Sequence, residues 1–130
     1  MASLNTPKNR QGKHTPSHVR APMQEAEAAR RVGGRVTPGS GSGRVKGDAR
    51  RRGVVRIECK TTSKKSFSVT REMVEKIEAA ALACGEVPVV EIEITGGGHR
   101  PCKVCVVPSY VLDMIAEQAG QAEQGGKGGS

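Results

Sequence analysis

Tryptophan is absent from this 130-residue chain, and Phe67 and Tyr110 are its only aromatic side chains. A core must then be assembled from Val, Ile, Leu and Ala, which bury less area per residue, so a subunit interface is the expected supplement to stability. Long apolar runs are missing too. No stretch approaches the roughly 20 apolar residues a membrane helix needs, and neither a secretory signal nor a membrane partner is expected. Cysteine is sparse: Cys59, Cys84, Cys102 and Cys105 form no disulfide framework. Cys59 and Cys84 fall at expected core positions, where a thiol acts as a small hydrophobe. Cys102-x-x-Cys105 has half the spacing of a zinc site, but with no second pair and only His99 nearby, strand packing is the expected role. A reducing cytoplasm is the matching compartment.

Acidic residues are scarce in one half only. Residues 1–71 carry 17 basic and 4 acidic side chains, net +13, whereas residues 72–130 carry 4 basic and 9 acidic, net −5, which together give the chain's +8. The first half therefore suits a polyanion such as a phosphate backbone.

Residues 1–22 read as a disordered basic arm, in which His14 and His18 are solvated. A folded domain is expected over residues 23–119, followed by a flexible Gly- and Gln-rich tail over residues 120–130. Within the domain, residues 23–32 predict a helix closed by Gly33-Gly34. Residues 35–37 begin a strand, and residues 38–43 form a Gly/Ser loop. Asp48 closes a second extended segment, Arg50-Arg51-Arg52-Gly53 makes a turn, and residues 54–61 form the central strand. Residues 67–69 suggest a further short strand. Thr70 caps a helix with an apolar stripe at Met73, Val74, Ile77, Ala80, Ala81 and Cys84 that stops at Gly85. Residues 87–94 and 101–107 alternate as strands, and Pro108 opens a last helix. This order predicts an α/β fold, a mixed central sheet flanked by helices.

The chemistry-bearing pattern is Asp48 followed by Glu58-Cys59-Lys60 on an apolar strand. Alternation puts Glu58 and Lys60 on one face and Val55, Ile57 and Cys59 on the other. Magnesium takes oxygen ligands and is commonly held by one or two carboxylates plus substrate phosphate. A lysine beside it suits an attacking hydroxide or a charged phosphorus centre. The plain alternative is an exposed charge pair next to a turn aspartate.

Taken together, Glu25 in a first helix, Gly33-Gly34-Arg35, Thr37-Pro38-Gly39-Ser40-Gly41-Ser42, Lys46-Gly47-Asp48, Ile57-Glu58-Cys59-Lys60-Thr61-Thr62 and Ser66-Phe67-Ser68-Val69 resemble the PD-(D/E)xK nuclease superfamily. Within it, they are similar to the archaeal-type Holliday junction resolvases and their phage relatives. The likeness spans about residues 24–94. It implies a restriction-endonuclease-like core and a homodimer that makes paired nicks in four-way DNA junctions. Asp48, Glu58 and the Cys59 backbone carbonyl would hold Mg2+, with Mn2+ able to substitute and no small-molecule cofactor needed. Lys60 would be the catalytic lysine, and Glu25, or else Glu27, the helix acid. Ser40 and Ser42 match a loop near the scissile phosphate. Arg44, Lys46, Arg50, Arg51, Arg52, Lys64 and Lys65 are expected DNA contacts. The compartment implied is the cytoplasm of a bacterial or archaeal cell, or of a phage-infected host. Gly47 stands where the family name records proline, which touches loop geometry more than ligand chemistry. A less selective phage nuclease and a non-catalytic DNA-binding protein are the competing expectations.

Overall fold

A computed structural model describes residues 17–37 and 48–128, with side chains for residues 22–37 and 49–124. The elements run α1 (Ser17–Val32), β1 (Arg35–Val36), β2 (Asp48–Arg51), β3 (Val55–Thr62), α2 (Arg71–Ala83), β4 (Val87–Ile94), β5 (Cys102–Val106) and α3 (Ser109–Gly128). The five strands form one sheet in the order β1-β2-β3-β4-β5. β3 and β4 are parallel, whereas the other neighbours are antiparallel. A parallel pair needs a crossover, and α2 supplies it. The fold of the described residues is thus α/β, with a mixed sheet and three helices, as the order of elements predicts.

Each face of the sheet has its own core. On one, Ala28 and Ala29 of α1 meet Ala49, Ile57, Cys59 and Val89. Three alanines in that set let the helix approach the strands closely, which is how a core without large aromatics is filled. On the other face, Ile77 of α2 packs on Val90 and Ile92, with Phe67, Met73 and Val106 around them.

The helices α1 and α2 end alike. Gly33 and Gly85 take positive φ, +73° and +69°. In α1 the Gly33 amide donates to Arg30 O and the Gly34 amide to Ala29 O. In α2 the Gly85 amide donates to Leu82 O and the Glu86 amide to Ala81 O. This double bond pattern satisfies the last carbonyls and turns the chain sharply into the sheet. Thr70 caps α2 as expected, its side-chain oxygen accepting from the Met73 amide at 3.2 Å.

Several expectations need correction. α1 begins at Ser17, inside the stretch read as an arm, with Pro22 within the helix. Only one short turn precedes Pro22, so the missing hydrogen bond falls near the free end. Asp48 opens β2 instead of closing an extended segment, and Arg50 and Arg51 belong to that strand. The turn therefore lies at residues 52–54, with Gly53 at φ +75°. Residues 67–69 form no strand. Both edges of β3 are already taken by β2 and β4, and Phe67 packs its ring into the core instead. Cys84 is exposed at the C-cap of α2, where the helical stripe has turned away from the sheet. The tail beyond Gly120 continues as helix to Gly128; Ala, Gln and Glu over residues 116–124 favour helix and carry it past Gly120.

Candidate active site

Glu58 and Lys60 are two residues apart on β3 and share a face, as strand alternation requires. Lys60 Nζ lies 3.1 Å from Glu58 Oε2. Glu58 is 8% exposed, while the lysine side chain keeps 35% of its surface. The crossover lays the first turns of α2 over this pair. The result is a cleft of about 220 Å³ lined by Glu58, Lys60, Thr70, Glu72, Met73 and Lys76. In the antiparallel ladder Asp48 is the direct partner of Glu58, and paired positions share a face of the sheet. The Asp48 side chain lies outside the described residues.

The remaining predicted residues are more scattered. Glu25 is buried at 4% exposure on α1, which covers the opposite face from Glu58 and Lys60. Its neighbour Gln24 does reach β3. Gln24 Nε2 donates to Lys60 O at 3.1 Å, to Glu91 Oε1 at 3.1 Å and to Glu91 O at 3.3 Å. Glu27 pairs with Lys103 across to β5. Cys59 is buried on the α1 face, its Sγ 4.0 Å from Glu91 Oε1. Ser40, Ser42, Arg44 and Lys46 lie outside the described residues. Lys64 and Lys65 are exposed just beyond β3. Their loop is clasped by the β4–β5 turn, where the Gly96 amide donates to Lys64 O at 3.2 Å.

The arginines after Asp48 divide by role. Arg50 is not a free surface cation: its Nε donates to Glu86 Oε2 at 2.7 Å. Arg51 and Arg52 are exposed, and with Arg35, Arg50 and residues 33, 34, 36 and 37 they line a groove of about 450 Å³. That groove is larger than the Glu58 cleft but holds no carboxylate, so it can bind a polyanion without acting on it. Cys102 and Cys105 are three apart on a strand and so lie on opposite faces. They do not chelate one ion together.

Sequence reasoning missed Glu86, Glu91 and Glu93, three carboxylates at 2%, 1% and 0% exposure. Glu86 accepts from Arg50 Nε, Arg56 Nε and the Gly53 amide. Burial alone would raise its pKa, yet the amide and the two guanidiniums outweigh burial and hold it below the ordinary 4.5. Glu91 pairs with Arg31, whose pKa is raised by that bond. Glu93 lies 3.8 Å from Lys103 Nζ. The sequence signature of Glu91 and Glu93 was an alternating Val-Glu-Ile-Glu-Ile strand, which is indistinguishable from a half-solvated one without knowing that α1 covers it. Glu72 and Lys76 were also missed, although their i, i+4 spacing after the Thr70 cap marked one helical face.

Among the described residues, no three His, Cys, Asp or Glu side chains gather into a metal-binding group. Magnesium does not require three, since it keeps several waters and uses one or two carboxylates. A buried Glu58 carboxylate with an aspartate as its ladder partner fits that donor set. Comparison with protein-family models, curated proteins and solved structures finds no match to this chain. Among the described residues no helix is long and apolar enough to cross a membrane.

Proposed function

We propose that this chain is a magnesium-dependent, structure-selective DNA endonuclease of the Holliday junction resolvase type, built on a restriction-endonuclease-like core and working in the cytoplasm. The observation that carries the reading is the Glu58–Lys60 pair facing a cleft, with Asp48 opposite Glu58 in the ladder. The +13 charge of residues 1–71 supports a polyanionic substrate.

Asp48, Glu58 and the Cys59 carbonyl would hold the cation, while Glu25, buried on α1 behind the sheet, stays outside this set. A cation held there would supply an acidified water and neutralise charge on the phosphoryl oxygens. Glu58 holds the Lys60 ammonium in place, at 3.1 Å. Lys60 then orients the attacking oxygen and offsets charge on the pentavalent phosphorus. Arg51 and Arg52 hold backbone phosphates away from the cut without reading sequence. Tyr110, Leu112, Met114 and Ile115 stand exposed on α3, which supports a homodimer. Two sites related by a two-fold axis would cut strands of like polarity symmetrically across a branch.

The test is cleavage of a synthetic four-way junction with each strand labelled in turn, in magnesium and in EDTA. Paired symmetric nicks that need magnesium are expected, and Asp48→Asn should abolish them while junction binding persists. Equal cutting of linear duplex would replace the reading with a general nuclease. Absence of nicking in magnesium would leave a DNA-binding protein.

A further inference from the structure

We infer that Lys76, on the helical wall of the cleft, is a second phosphate-binding cation, and that Glu72 one turn earlier opposes it. This rests on the nuclease reading. Three observations carry it. Lys76 lines the same cleft of about 220 Å³ as Glu58 and Lys60. Lys76 makes no ion pair among the described residues, whereas Lys60 is bound to Glu58. Residues 72 and 76 are four apart on α2, so they present one face of the helix to the strand pair opposite.

Charge completes the argument. The cleft lining carries two carboxylates and two ammoniums, which cancel formally. If Asp48 and a divalent cation join the site as proposed, they would add one negative and two positive charges, and the loaded cleft would have one positive charge to offer a phosphodiester. Without Lys76 that surplus vanishes, and the incoming phosphate would stay uncompensated beside a Glu58 that is 8% exposed. Lys60 is committed to Glu58 and the reacting oxygen. The neighbouring phosphate oxygen falls to the helix.

Binding of a fluorescent four-way junction in EDTA, across a salt series, separates this from metal chemistry. Lys76→Ala should weaken binding roughly three- to tenfold and make the slope of log affinity against log salt shallower by about one. Lys76→Arg should restore both. Glu72→Gln should tighten binding in the same assay, an opposite sign that loss of helix structure would not produce. Both residues are exposed, so these variants should fold, which circular dichroism checks. If Lys76→Ala keeps the wild-type affinity and slope while wild-type protein cuts junctions, the inference is wrong and the nuclease reading stands. If wild-type protein neither binds nor cuts, the reading beneath it is wrong.

Discussion

Replacing Glu86 with Gln isolates the buttress that holds the β2–β3 turn. Its carboxylate, 2% exposed, accepts from the Gly53 amide at 2.9 Å, Arg56 Nε at 3.2 Å and Arg50 Nε at 2.7 Å. The glutamine amide keeps one acceptor oxygen, which can stay on the Gly53 amide and Arg50 Nε, while its NH2 group takes the place of Oε1 and faces the Arg56 guanidinium, donor to donor. Loss of that one charge-assisted bond should destabilise the variant by about 2 kcal/mol. For a domain of this size the loss corresponds to a fall in Tm of roughly 8–16 °C. The pH dependence gives a second check. A carboxyl held below its ordinary 4.5 in the folded state stabilises the protein above that value and loses its contribution as pH falls through the folded pKa. Wild type and variant should therefore differ fully at pH 7 and converge below about pH 4.5. Urea denaturation from pH 7 to pH 3 reads both effects. Equal stability at pH 7, or a difference that stays constant to pH 3, would refute the reasoning.

Lys60→Met should lower single-turnover cleavage by about a hundredfold or more while junction binding in EDTA changes far less; cleavage within tenfold of wild type would remove Lys60 from the mechanism. Gly34→Ala should cost about 2 kcal/mol or more, because a Cβ there would lie 2.7 Å from the Arg50 carbonyl carbon. Gly120→Ala is its control: the α3 position is open, so the change should stabilise by about 0.5–1 kcal/mol in the same thermal melt.

The helices and long strands were legible because their signals are local. Thr70 and Gly85 bracket α2 by chemistry that needs no tertiary context, and the alternation over residues 54–61 already put Glu58 and Lys60 on one face. Boundaries that depend on partners were not legible. Residues 67–69 have strand composition, but both sides of the neighbouring β3 are already taken, and Arg50 looked like a turn residue until β2 found β3. The two walls of the cleft illustrate the same limit. Strand alternation reveals one wall, but only the parallel pairing of β3 and β4 brings α2 over it. Glu86 was hidden for a related reason: its three partners lie more than 25 residues upstream. The side chain of Asp48 and residues 38–47 stay outside what the structure describes, so the Ser40 and Ser42 loop stands on resemblance alone.

Gln24 has a consequence for how the molecule tolerates change. One amide nitrogen is fastened to the main-chain oxygens of two adjacent strands, at Lys60 and at Glu91. The helix and the sheet centre are therefore not free to slide independently, and a shift of the amino-terminal helix arrives at the peptide from which the lysine ammonium hangs. Substitutions along α1, on the far side of the sheet, should be felt in the cleft as misalignment before they are felt as unfolding.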